Sequence, residues 1–419
     1  MWFLMVAQAA TLQVGPTQPY TTVASALAVA ASGDVVAIDP GTYVEDLVVS
    51  EDVVLRGSGQ GVTILRSGGG TNVVTIDADV RLESLTVDAD GHQGVRQRST
   101  AADRVQLVDV EVHGGQPRPG ASKAPSAVDV YQAELRLDGC WIHDNASTIG
   151  AVGANGGVQV VDSVFEDNVQ SGGTYGAGAL YLLAIGGQRV RIIDSTFVGN
   201  RSESDGGAVL LHSDRLAAPK DRLAGNHFEG NHSDGRGGAV FLTADVSFSQ
   251  TFYINVVDNL FVGNDATMGG ALAVEGTDYG YTYAYTLGTV WVRMSRSTFV
   301  DNTATTDGGH VWLGPTSTVE SLNVLLAHGK GLDGYHSLGM GSQDHLLLWG
   351  NQGADGGGSG WAPGANTTTA DPDFALFSDD GDGSNDDLTL QPGSPAIDAG
   401  SPACADDADG TPSDIGVLR

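Results

Sequence analysis

Phe197-Val-Gly-Asn200-Arg-Ser-Glu-Ser-Asp-Gly206-Gly207-Ala208 is one copy of a phrase that recurs down the middle of the chain. An apolar residue is followed three places on by Asn, then by a polar run and by Gly-Gly with a small residue. The phrase returns at Phe228, Asn231 and Gly237-Gly238-Ala239, and at Phe261, Asn264 and Gly269-Gly270-Ala271. It appears again at Phe299, Asn302 and Gly308-Gly309-His310, and Phe165 with Asn168 precedes the set. The Asn residues step by 32, 31, 33 and 38. Self-similarity at such a period belongs to stacked architectures, in which each repeat buries its apolar face against its neighbours.

Working outward, the Asn position continues as Asp90, Gly115 and Asn145 on one side and as Gly329 and Asn351 on the other. The apolar position continues as Val87, Val112 and Ile142, then as Leu326 and Leu348. Such steps fit one turn of about three short strands, with adjacent turns roughly 4.8 Å apart. Stacking would pile the Phe set into an interior ladder, let Asn bond from turn to turn, and need Gly-Gly at a sharp bend. Near the N-terminus, Val48-Val49, Val53 to Leu55, Val62 to Leu65 and Val73 to Ile76 are short β-branched pieces separated by Gly, Asp and Ser. Ahead of them Val23, Ala26, Leu27 and Ala30 are spaced for a helix over Thr21 to Ala31, with Thr21 as N-cap and Gly33 as its stop. A lone helix there would cap the open end of the array. The expected fold class is all-β, a right-handed parallel β-helix (solenoid) with a short N-terminal capping helix. Residues 1–10 read as a degenerate signal segment or a buried first strand. Residues 11–365 form the β-helix with its cap, and residues 366–419 an Asp/Gly/Pro-rich tail packing on or capping it.

Gly accounts for 60 of 419 residues, 17% are charged, and 41% are hydrophobic, enough for a core. The net charge of −31 argues against nucleic acid and against an anionic membrane surface. Asp supplies most of the acidity, and it suits tight turns and hard-cation sites alike. No run of 18 apolar residues follows the N-terminus, so no transmembrane helix is expected. Cys140 and Cys404 read as two independent thiols, the first buried, or as a disulfide if the tail folds back over the array.

Two resemblances attach to these residues. Tyr20 to Leu27, Ser32-Gly-Asp-Val-Val and Pro40-Gly-Thr-Tyr-Val-Glu-Asp-Leu47 resemble the N-terminal cap and first turns of the pectin lyase-like superfamily. The Phe-x-x-Asn and Gly-Gly phrases over about residues 165 to 310 resemble the repeats of chlamydial polymorphic outer-membrane proteins. Those are surface β-helices, often adhesive, so this resemblance implies an extracellular or bacterial outer-membrane surface location. Asp371-Pro-Asp373-Phe, Leu390 to Gly400 and Ser413-Asp-Ile-Gly416 resemble the closing segment of many secreted bacterial β-helix proteins.

Candidate chemistry lies where the phrase is interrupted. In the longest step, alternation puts Tyr279, Tyr281, Tyr283 and Tyr285 on one strand face, leading to Trp291. Phe248 and Phe252 alternate nearby. These aromatics either bury one another or form a ligand surface. Asp380, Asp382 and Asp386 alternate with Gly as a tight calcium loop would, and Asp407, Asp409 and Asp414 repeat the idea. They are solvated turns or structural Ca²⁺ sites. A lyase would need a base beside carboxylates, and Arg293 and Arg296 lie near Asp301 and Asp307. Arg191 and Arg201 flank the matching place of an earlier turn, so a basic–acidic strip on one face or plain surface ion pairs would account for them. His310 replaces Ala in the fourth phrase and is a candidate acid/base or metal ligand, or else structural like His328, His336 and His345, which lack ligand spacing. The leading expectation is a monomeric binding or adhesion protein for a polysaccharide or cell-surface ligand, with Ca²⁺ as a structural cofactor. The alternative is a polysaccharide lyase or glycoside hydrolase, whose Arg293 or His310 would converge with at least two carboxylates in one groove.

Overall fold

Strands mostly of two to five residues, interrupted by turn residues such as Asp, Asn, Ser and Gly, leave the chain one way to satisfy its backbone, which is to coil and pair each strand with the turn before it. In the computed structural model a typical turn holds Val190–Ile193, Thr196–Val198, Arg201–Ser202 and Val209–Ser213. The next repeats them as Asp221–Ala224, His227–Glu229, His232–Ser233 and Val240–Ala244. The structure describes residues 9–417 except 98, 101, 119, 121–123, 174, 185–187, 214–220, 245–250, 277–288, 381–382 and 408. All described solenoid pairings are parallel, and the chain winds as a right-handed parallel β-helix. Four stacks of strands result, here numbered first to fourth in the order just given. The first two fuse where Val80–Asp88, Arg104–His113, Ser317–Ala327 and Met340–Trp349 run through the corner between them.

The apolar marker positions fall into register through the second stack: Val87, Val112, Ile142, Phe165, Phe197, Phe228, Phe261, Phe299, Leu326 and Leu348. The five Phe rings are fully buried and nearly coplanar, with centroids 4.8, 4.8, 4.8 and 4.5 Å apart. Each buried Phe contributes about 2–3 kcal/mol by area. Beside them the Asn residues form a ladder. Asn231 Oδ1 accepts from the Asn200 backbone N–H and from its Nδ2, both at 3.0 Å, while Asn231 Nδ2 donates to Asn264 at 2.9 Å. The bonds run on from Asn145 to Asn302. In each Gly-Gly pair the first residue holds φ near 70°, and a Cβ on Gly207, Gly238 or Gly270 would strike a carbonyl of the next turn, while one on Gly309 would crowd the Lys330 backbone nitrogen.

The corners account for the Asp content. Between the first and second stacks, Asp109, Asp162, Asp194 and Asp258 hold positive φ, alternating with Gly139 and Gly225. Between the second and third, Asp144, Asp167 and Asp301 do the same with Gly199, Gly230 and Gly263. A left-handed corner favours Gly, or Asn and Asp, whose short side chains bond locally.

The capping helix is shorter than its spacing predicts, spanning Val23–Leu27. Thr22, not Thr21, is the N-cap, its Oγ1 accepting from Ser25 N at 3.2 Å. Glu45 takes the first two amides, Val23 and Ala24, at 2.9 Å each, so the helix start is tied to the first turn. At the other end, Phe374–Leu376 and Asp387–Leu390 pair antiparallel in the tail. Leu390, Ala396 and Ile415 then bury against Leu325, Ala327 and Leu347 on the outer face of the second stack. Cys140 is buried and Cys404 partly so, and neither is in a disulfide. Among the described residues no helix is long and apolar enough to cross a membrane.

Candidate functional site

Strand alternation in the first stack sends Val190 and Ile192 inward and Arg191 outward. Register carries that outward position along the solenoid as Arg81, Gln106, Arg136, Gln159, Arg191, Arg222, Asn255, Arg293 and Glu320. Five arginines therefore share one row, in a chain with only 20 Lys and Arg in total. Arg81 pairs with Glu83 and Arg136 with Asp138 at 2.6 Å, each two residues along its own strand. Arg191 and Arg222 are in register on adjacent turns, and no carboxylate among the described residues pairs with either. Like charges directly opposite across a strand pair destabilise it, so this arrangement costs free energy when nothing is bound.

Toward its C-terminal end the row enters an open groove of about 290 Å³ lined by Tyr253, Ile254, Asn255, Trp291, Arg293 and Glu320. Tyr253 and Trp291 are also in register, one residue row aside, with ring centroids 4.8 Å apart and planes tilted by 48°. Arg293 reaches Glu320 through Nε and Nη2, both 3.2 Å from one carboxylate oxygen. Arg293 stays 68% exposed, so this ion pair is screened and worth about 0–1 kcal/mol. The groove thus offers two rings, an amide, a guanidinium and a carboxylate to solvent.

Of the residues singled out in the sequence, Trp291 and Arg293 meet here and the others do not. Tyr279, Tyr281, Tyr283 and Tyr285 lie outside the described residues, as do Phe248 and Asp382. Their segment ends immediately before Thr289–Ser295, the strand that carries Trp291 and Arg293. Phe252 is buried in the core. Asp301 is a left-handed corner residue paired with Lys330. Arg296 occupies another such corner and grips Asp258 with two bonds, of 2.7 and 2.9 Å. Asp307 lies on the fourth-stack side, near His336. His310 is wholly buried, where desolvation pushes its pKa down to about 3 and keeps it neutral. Arg293 is thus joined to the single carboxylate of Glu320, and the convergence that a catalytic site would require is not formed by these residues.

The tail carboxylates accept hydrogen bonds within the tail. Asp386 accepts from Ser378 N and Oγ, Asp409 from Thr411 N and Oγ1, Asp407 from Asp414 N, and Asp414 from Asp398 N. Asp380 accepts from Asn385 Nδ2. Burial raises the Asp414 pKa, whereas the bonds from Thr411 lower that of Asp409.

Tyr253, Asn255, Glu320, Arg136 and Arg222 were not legible as site residues in the sequence. A second ladder was also missed, at the corner before the Phe position. There Cys140, Ser163, Ser195, Asn226, Asn259 and Ser297 relay bonds from turn to turn. Its signal is a small polar residue two places before each Phe.

No family model and no curated protein matches the chain. Two solved structures to which it is similar are mannuronan C-5 epimerase A-modules from Azotobacter vinelandii. The AlgE4 A-module is 16% identical over 83% of this chain and 94% of that one, with a TM-score of 0.35. The AlgE6 A-module is 14% identical over 84% and 94%, with a TM-score of 0.38. Both likenesses are too distant to bear on function.

Proposed function

We propose that the chain is a secreted or cell-surface protein that binds a linear acidic polysaccharide. The polysaccharide lies along the arginine row, parallel to the solenoid axis, with its sugar rings meeting Tyr253 and Trp291. The observation that carries this reading is the pair Arg191 and Arg222, adjacent and without a described carboxylate partner in a row of five arginines on a chain of net charge −31. A polyanion would relieve the repulsion within the row, while the acidic surface elsewhere repels it, so binding is confined to one strip.

Spacing supports a repeating ligand. Arg81, Arg136 and Arg191 are two turns apart in succession, and so are Arg222 and Arg293. Two turns are roughly 10 Å at the usual strand separation, about the length of a disaccharide. An extended chain with a carboxylate on every second residue would meet Arg81, Arg136 and Arg191 in one phase, or Arg222 and Arg293 in the other, because Arg191 and Arg222 are a single turn apart. The rings of Tyr253 and Trp291 present apolar faces with polar rims, which suits the C–H face of a sugar. The single carboxylate beside Arg293 supports binding over cleavage.

The test is titration of uronate, sulfated and neutral oligosaccharides of equal length, with a DNA oligomer as a further polyanion. Arg191→Ala with Arg222→Ala is expected to weaken uronate binding at least tenfold and to flatten its salt dependence. Trp291→Ala should weaken it at every salt concentration alike. Equal affinity for neutral chains, preference for DNA, or indifference to the double arginine change would sink the reading.

A further inference from the structure

On the opposite side of the turn, the outer face of the fourth stack brings three ligand-type side chains together. Asp333 and His336 sit three residues apart on the strand Asp333–Ser337, and Asp307 comes from the bend of the turn before. Their ligating atoms all lie within 4.8 Å of one another, the one such cluster of His, Cys, Asp and Glu among the described residues. His336 Nδ1 is 2.7 Å from Asp333 Oδ2 and 3.8 Å from Asp307 Oδ1. A single imidazole N–H satisfies the first carboxylate and leaves the second beyond hydrogen-bond reach.

The surroundings hold this geometry ready. Asp333 is almost buried, and its other oxygen, Oδ1, accepts from Gly308 N at 2.8 Å, which fixes the carboxylate plane and leaves Oδ2 facing the imidazole. The site also has an opening. Register places Trp312 on one side of His336 and Gly357 on the other. A Cβ on Gly357 would strike Asp333 Oδ2, so the glycine leaves space against that oxygen which any other residue would fill. Asp307 is 34% exposed in its side chain and borders the solvent edge. Nδ1 thus faces two carboxylates across a gap that is open to water and backed by a tryptophan.

We propose that Asp307, Asp333 and His336 bind one divalent transition-metal ion of the Zn²⁺ type, through Nδ1 and one oxygen of each carboxylate. The donor set decides the metal. Imidazole nitrogen suits zinc and its first-row neighbours, whereas Ca²⁺ takes six to eight oxygens and Mg²⁺ keeps its water. Three protein ligands leave at least one position of a four-coordinate ion to water or to a ligand group. Nδ1 gives its lone pair to the metal, so any proton it carries is released to solvent. The ion would bring its two positive charges to a bend that otherwise joins two carboxylates to one imidazole.

Calorimetric titration of Zn²⁺ into the full chain at neutral pH tests this. One ion per chain is expected to bind, and the Asp307→Asn, His336→Gln double variant should bind it at least tenfold more weakly. Excess Ca²⁺ should not displace it. Asp307→Asn alone serves as a second variant, because its side chain is partly exposed and far-UV circular dichroism would confirm that the solenoid stays folded. Failure of the wild type to bind stoichiometric Zn²⁺, an unchanged affinity in the folded variants, or displacement by Ca²⁺ would each overturn the assignment.

Discussion

At the scale of single residues, His310 shows how the ladder repairs its own gap. The marker position of its neighbouring turn is Gly329, which has no side chain to continue the run of Asn residues. His310 fills the place: Asn302 Nδ2 donates to its Nδ1 at 3.1 Å, and its Nε2–H donates to Asn351 Oδ1 at 3.0 Å. This pins one neutral tautomer, in keeping with a pKa that burial pushes to about 3. His310→Ala should cost about 2–4 kcal/mol, because it opens a cavity and removes one hydrogen bond each from Asn302 Nδ2 and Asn351 Oδ1, which keep only their bonds to Phe261 O and from Gly329 N. Gly329→Asn alone should also destabilise, since its Cβ would lie 2.6 Å from His310 Nε2. Together the two changes rebuild the regular Ala and Asn of the other turns. The double variant should recover most of the loss in chemical denaturation, and simple additivity would show the ladder account to be wrong. Asp221 makes a second prediction at this scale. It is buried, its Oδ2 has no partner among the described residues, and desolvation raises its pKa from 3.8 to about 6. The folded state therefore holds this proton more tightly than the unfolded chain does. Stability falls as pH rises from about 4 to 6 and stays lower above that, by up to about 3 kcal/mol. Asp221→Asn, which cannot ionise, should raise the melting temperature relative to the wild type more at pH 7.5 than at pH 4. An equal effect at both values would remove the assignment.

At the scale of the strand, the stack explains which parts of the molecule were legible in advance. Phe228 and Asn231 could be read because stacking places one residue type on itself, so each turn must choose the same residue at the same place. That demand survives loop insertions, since the phrase from Phe to Gly-Gly is short and uninterrupted. The arginine row obeys the same register but no local phrase. Arg81, Arg136, Arg191, Arg222 and Arg293 are separated by 55, 55, 31 and 71 residues, because Arg191 and Arg222 are one turn apart and the others two, and because the connections between turns vary in length. Solvent-facing positions also tolerate Gln106, Gln159 and Asn255 between the arginines, so no periodicity announces them. Trp291 and Arg293 could be singled out by chemistry alone. Tyr253 and Glu320 became partners only once pairing set Tyr253 beside Trp291 and Glu320 beside Arg293. His310 and Asp301 are the opposite case. Their types suit catalysis, but one completes an interior ladder and the other turns a corner.

At the scale of the whole molecule, the tail stands apart from the solenoid it covers. Leu390, Ala396 and Ile415 form a cluster with Leu325, Ala327 and Leu347 that is separate from the continuous interior core. The tail is also pinned by Gly416 N to Asn323 O at 3.0 Å, Asn323 Nδ2 to Ser413 Oγ at 2.9 Å, and Lys330 to Asp379 at 2.8 Å. Solenoid turns are stabilised chiefly by their neighbours, so losing an outer layer should not propagate through the array. Ile415 is 1% exposed and touches the solenoid through this cluster, and a charge there could not be desolvated. Ile415→Asp should therefore release the tail while the turns from Val158 to Val300 keep their protection in hydrogen exchange. The same change uncovers Leu325 and Leu347 as an apolar patch on the second stack, so the released protein should self-associate as its concentration rises, visible by size-exclusion chromatography. The tail does not reach the arginine row on the first stack through any of these contacts, so affinity for an acidic polysaccharide should survive its release. If Ile415→Asp instead abolished the protection of the central turns, the tail would be part of one cooperative unit, and the separation of the two clusters would carry no energetic meaning.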